Sequence, residues 1–146
     1  MKKPLEIVQG EKSLRLNLYI IVAVYLLLLL LVEPLLDYIL LAAFEKHSLA
    51  MLEHINKLKV IISTTIYSLL AIIPASYAAW FGYRVVASAK LPPVLNSGKV
   101  RFPFTVPLIT GRMAKMFGVL MIVVALVLIF QLVVHLGNHL FQVGIG

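Results

Sequence analysis

Two pairs of polar residues stand where a chain this apolar can least easily keep them. Glu33 and Asp37 are four apart, and so are His135 and His139. On a helix that spacing puts both members of a pair on one face, one turn apart. A carboxylate in hydrocarbon is costly, so intramembrane acids face a bundle interior or a partner. If the two faces meet, with Gln131 one turn before His135, they build a carboxylate–histidine cluster. Such a cluster would bind a divalent metal, relay protons or hydrogen-bond a quinone headgroup. Haem ligation by His135 or His54 is a further option. Within the cluster, Glu33 and His135 are the deepest pair and are expected to depend on one another.

The opposing reading is solvation. At headgroup level water satisfies both pairs, Asp37 and His139 more readily than Glu33 and His135. The motifs do not select a cofactor. His135-Leu-Gly-Asn-His139 lacks the glutamate of a zincin HExxH. There is no Walker A loop, no GxGxxG and no GxSxG. With no cysteine, thiol catalysis and iron–sulfur centres are excluded. No catalytic motif is present, and the sequence leans away from an enzyme.

The elements that must position these residues are long apolar runs. The chain has 146 residues, is 62% hydrophobic and only 13% charged, where soluble domains are about 25% charged. From Leu16 to Val32 the sole polar amide is Asn17, and Leu26 to Leu31 are six leucines in a row. About 20 apolar residues cross a bilayer. We therefore expect an all-α integral membrane protein, a single membrane domain of three helices over residues 1–146. Span 1 is expected over about 14–43 and span 2 over about 60–86, with span 3 over about 113–141. Met1-Lys2-Lys3 before an apolar run resembles a signal peptide, but the run is long and reads as an uncleaved first span. Ser13 and Thr110 are candidate caps for spans 1 and 3.

Residues 44–59 carry Leu49, Leu52, Ile55 and Leu58 at helical spacing between charges. They are expected as a short amphipathic connection at the membrane surface. Residues 87–112 hold four prolines and are expected as a partly extended basic loop, with a turn at Asn96-Ser97-Gly98. In span 2, Pro74 leaves the carbonyl of Leu70 without its usual donor. Ala71, Ala75, Ala79 and Gly82 form a ladder of small residues that lets helices approach closely. Ser63, Thr64 and Thr65 are expected to bond to carbonyls of their own helix.

Charge orients the chain. The N-terminal tail and the long loop with its margins carry Lys2, Lys3, Lys12, Arg15, Arg84, Lys90, Lys99, Arg101, Arg112 and Lys115. The other side has Lys46, Lys57 and Lys59. Basic residues gather on the cytoplasmic side. The N-terminus and loop are thus expected inside and the C-terminus outside, in a bacterial inner (plasma) membrane. The net charge of +7 is accounted for by this bias and by anionic headgroups, not by nucleic acid. Arg84, Lys90, Lys99, Arg101, Arg112 and Lys115 are the expected contacts to headgroups or to a partner.

Two functions follow. One is a small non-catalytic subunit or accessory protein that packs against other transmembrane helices, in an oligomer or larger complex. The other is a membrane redox or metal protein, with a haem, quinone or divalent-metal site near the outer face built from Glu33, Asp37, His135 and His139.

Overall fold

The structure, a computed structural model, describes residues 6–43, 49–94 and 98–144. The order is β1 (Ile7–Val8), α1 (Lys12–Ala43), α2 (Leu49–Ser88), β2 (Lys90–Leu91), β3 (Val106–Pro107), β4 (Ile109–Thr110) and α3 (Arg112–Gly144). All three helices are long and apolar enough to cross a membrane. At 1.5 Å per residue, the 40 residues of α2 extend about 60 Å, twice a hydrocarbon core of about 30 Å.

That length corrects one expectation. Residues 49–59 are not a separate surface helix but the first turns of α2. Nothing between Leu49 and Val60 breaks a helix, so the amphipathic turns run directly into the span. Residues 44–48 and the Asn96-Ser97 part of the expected turn lie outside the described residues. The caps shift as well. Helix α1 begins before Ser13, with the carbonyl of Glu11 accepting from the Arg15 amide at 3.1 Å. Gly111, not Thr110, precedes α3, and its carbonyl accepts from the Lys115 amide at 3.2 Å. At Gly111 φ is +74°, a conformation glycine adopts without penalty.

The chain divides into two compact units. One comprises Met1–Ala23 and Pro74–Leu128, the other Val24–Ile73 and Ile129–Gly146.

In the first unit, one short ladder zips the tail to the loop and a second pairs the two ends of the loop with each other. β1 pairs antiparallel with β3, Ile7 opposite Pro107 and Val8 opposite Val106. β2 pairs with β4. Pro107 donates no hydrogen bond and is tolerated because each sheet has only two strands. Beyond the ladder, the Gly10 amide donates to Thr105 Oγ1 at 3.0 Å and the Glu11 amide to the Phe102 carbonyl at 2.9 Å. Gly10 is required there, because a Cβ would meet the Phe104–Thr105 backbone at 2.7 Å. Arg101 closes the clasp with two bonds to Glu11, at 2.8 and 2.6 Å. That pairing lowers the Glu11 carboxyl below its ordinary range and raises Arg101.

Helices α2 and α3 meet in the same unit through small residues. Ala75, Gly82 and Val85 are buried on α2, and Ala114, Gly118 and Ala125 on α3. A Cβ on Gly118 would lie 2.7 Å from the Gly82 carbonyl oxygen, and one on Gly82 would lie as close to that of Gly118. The contact is backbone on backbone, so no side chain can move aside. Of the ladder read from sequence, Ala75 and Gly82 are buried, while Ala71 and Ala79 are half-buried.

In the second unit, α1 buries Val32, Leu36 and Leu40, which recur every four residues on one face, and α2 buries Ile55, Ser63 and Ser68. The hydroxyl of Ser63 donates to the Val60 carbonyl and that of Thr65 to the Ile61 carbonyl. Both bonds stay within the helix, as expected.

The Gly82–Gly118 contact predicts a contrast between two glycines. Gly118→Ala forces the backbones apart and should cost about 1–3 kcal/mol, the usual range for overpacking. Gly137→Ala meets nothing within 4 Å and should be neutral or stabilise by roughly 0.5–1 kcal/mol. Thermal unfolding of each variant in detergent checks both.

Candidate functional site

The acids of α1 meet a lysine. Lys59 Nζ lies 2.6 Å from Asp37 Oδ1 and 3.1 Å from Glu33 Oε2. Four-residue spacing brings both carboxylates to one face of α1, and a single ammonium on α2 bridges them. The Lys59 side chain is only 26% exposed, against 46% for Glu33 and 52% for Asp37. Among the described residues, no histidine pairs with either acid.

Two tyrosines continue the same seam. Tyr25 Oη donates to the Leu70 carbonyl at 3.0 Å. This is the carbonyl that Pro74, four residues on, cannot serve. In lipid a freed carbonyl must find a donor elsewhere, and Tyr25 supplies it from the neighbouring helix. Reciprocally, Tyr67 Oη on α2 donates to the Leu29 carbonyl at 3.4 Å. Leu29 adjoins Leu30, the carbonyl left without a donor by Pro34. The pairs 25–70, 29–67 and 33/37–59 describe one antiparallel register. Continued along the helices, it sets Ser63 opposite Val32 and Ile55 opposite Leu40, and all four are buried.

The histidines form a second, separate feature. The rings of His135 and His139 stack with centroids 6.3 Å apart and planes 10° from parallel. His135 and Gln131 are exposed, and His139 is half-buried. Nε2 of His139 is buried and makes no hydrogen bond among the described residues. Beside it is an open hollow of about 350 Å³ lined also by Glu53, Asn56 and Lys57. Among the described residues, no three His, Asp or Glu side chains gather closely enough to hold a metal ion. The five polar residues singled out from sequence thus fall into an acid pair bridged by Lys59, a stacked histidine pair and an exposed Gln131.

The basic residues also differ in role. Arg101 is engaged by Glu11. Arg84 stands over the ring of Trp80, 5.4 Å from its centroid. Lys90, Lys99, Arg112 and Lys115 are exposed. Lys12 and Arg15 open α1, Arg112 and Lys115 open α3, and neither helix has an acid in its first turn. A helix N-terminus carries partial positive charge, so cations there are misplaced with respect to the dipole.

Sequence reasoning missed Lys59 and both tyrosines. The signals were present: Tyr25 and Tyr67 are phenols inside apolar runs, and Lys59 directly precedes the uncharged stretch from Val60 to Tyr83. The chain was compared with protein-family models, with curated proteins and with solved structures, and it matches none of them. Its fold and seam define the class: a helical protein with three helices able to cross a membrane.

The seam predicts graded losses in thermal stability in detergent. Tyr25→Phe removes the donor to the Leu70 carbonyl and should cost about 0.6–1.7 kcal/mol, the range for interhelical hydrogen bonds in membranes. Tyr38→Phe, at a side chain 74% exposed, should change stability by less than about 0.5 kcal/mol. Lys59→Met leaves two carboxylates on one face without their cation and should cost more than either.

Proposed function

We propose that the chain is a small non-catalytic membrane subunit that packs against other transmembrane helices, in an oligomer or a larger complex. The observation that carries the reading is how the polar side chains of the spans are used. Glu33, Asp37, Lys59, Tyr25 and Tyr67 join α1 to α2, which leaves the acids engaged in structure. The apolar surface, by contrast, remains open. No residue in the most apolar stretch of α1 is buried within the chain. Leu30, Leu35, Tyr38, Phe130 and Phe141 are among its large exposed side chains. Lipid and other helices are the natural cover for such faces.

One observation favours the second reading, a redox or metal centre at the outer face. The Nε2 of His139 is buried without a partner among the described residues, and His135 is stacked on the same ring. In that reading the histidines alone of the original cluster supply ligands.

Purification in a mild detergent, followed by native mass and metal analysis, separates the two. The subunit reading predicts a colourless, metal-free species heavier than the 16.2 kDa chain. A monomer with stoichiometric metal or a chromophore would favour the histidine site instead.

The orientation we propose is N-terminus and loop in the cytoplasm, C-terminus outside, in a bacterial inner membrane. It rests on the basic asymmetry of the chain. Among the described residues, the first unit has eight basic residues (Lys12, Arg15, Arg84, Lys90, Lys99, Arg101, Arg112 and Lys115) and two acids, Glu6 and Glu11. The second has Lys57 and Lys59 against Glu33, Asp37 and Glu53. A reporter active only outside the cytoplasm should be active when fused after Gly146 and silent at Ser97. The opposite pattern would reverse the orientation.

A further inference from the structure

Within the first unit lies a groove of about 580 Å³, inside the range of about 300–1,000 Å³ typical of small-molecule sites. One wall is the aromatic cluster of α2. Tyr77 sits with its ring centroid 5.7 Å from that of Trp80 and 6.4 Å from that of Phe81. The facing wall comes from the loop, where Phe102 and Phe104 meet edge to face at 6.3 Å. The start of α1 forms the third side. The lining is apolar apart from the tyrosine hydroxyl and two residues, Asn17 and Arg101.

Two cations bear on this groove in different ways: Arg101 lines it, whereas Arg84 does not line it but stacks on Trp80, which does. Arg101 is spent on Glu11, with both carboxylate oxygens bonded. Arg84 lies over Trp80, and among the described residues no acid pairs with it. A guanidinium stacked on an indole keeps its edge free, and that edge matches a phosphate with two parallel bonds. Tyrosine and tryptophan gather where headgroups meet acyl chains. An aromatic groove beside an unpaired arginine therefore offers both halves of one ligand, an apolar chain and an anionic head.

We propose that this groove binds one anionic phospholipid, with an acyl chain along the aromatic walls and the phosphate on Arg84. The proposal rests on the reading of the chain as membrane-embedded, and goes beyond general attraction of basic residues to headgroups.

Trp80 is the only tryptophan, so it reports on its own site. The full chain is reconstituted in phosphatidylcholine vesicles containing an equal mole fraction of either dibrominated phosphatidylcholine or dibrominated phosphatidylglycerol, which quench tryptophan on contact. The site predicts at least twofold stronger quenching by the glycerol lipid. Arg84→Gln should abolish that preference. Lys115→Gln, which removes the same charge from the same unit away from the groove, should leave it intact. Ala78→Leu, which narrows the groove without changing charge, should lower quenching by the anionic lipid. Circular dichroism of each variant confirms retained helix.

Equal quenching of the unaltered chain by both lipids would overturn the site while leaving the membrane reading standing. So would a preference that survives Arg84→Gln, or one that falls equally in Lys115→Gln, which would mean diffuse attraction. Quenching by neither lipid would overturn the site, since Trp80 would then touch no lipid, while flotation of the reconstituted vesicles tests the membrane reading separately.

Discussion

A polar group on a helix in hydrocarbon has no water to turn to, so it must be met by a neighbouring helix. The seam between α1 and α2 follows from that constraint. Pro74 frees the Leu70 carbonyl, and Tyr25 answers it. Glu33 and Asp37 bring two negative charges into an apolar helix, and Lys59 answers both. Each contact is directional and all agree on one antiparallel register. Leucines alone would not specify that register, since one leucine face packs on another almost as well when shifted by a turn. The ion pairs and phenols supply specificity where apolar packing supplies little preference.

The other end of the chain is organised by charge and by backbone. The β1–β3 ladder, the Gly10 contact and the Glu11–Arg101 pair tie the tail to the loop, and the β2–β4 ladder joins the loop's two ends. Close approach of Gly82 and Gly118 brings α2 against α3. Most of the remaining cations have no acid to face. A membrane surface of negative potential attracts such residues at about 1 kcal/mol each, and the helix-terminal ones act against their own dipoles.

Much of this was legible from residues. Three spans follow from apolar runs, because length and hydropathy suffice to recognise a membrane-crossing helix. The freed Leu70 carbonyl followed from Pro74, and the in-helix bonds of Ser63 and Thr65 from their position. What escaped were pairings between distant segments. β1 and β3 are too short to show any periodicity, so the tail could not be matched to the loop. Shared depth and the common four-residue spacing point the acids to the histidines of span 3, and say nothing of a lysine at the start of span 2. With α2 starting at Leu49, six residues after α1 ends at Ala43, the geometry changes. Antiparallel counting from the end of α1 at Ala43 and the start of α2 at Leu49 sets Glu33 opposite a residue at about 59, at the same 1.5 Å rise along both helices. The helix boundary, more than the chemistry, hid Lys59.

The central claim is that Glu33 serves to join α1 to α2 through Lys59, not to build a site with the histidines of α3. A double-mutant cycle tests it, read as thermal stability in detergent. Glu33→Gln is combined first with Lys59→Met and then with His135→Ala. Residues in direct contact couple by about 0.5–3 kcal/mol, whereas independent ones add within about 0.3–0.5 kcal/mol. The account predicts coupling between Glu33 and Lys59, and additivity between Glu33 and His135. Coupling to His135 with additivity at Lys59 would contradict it.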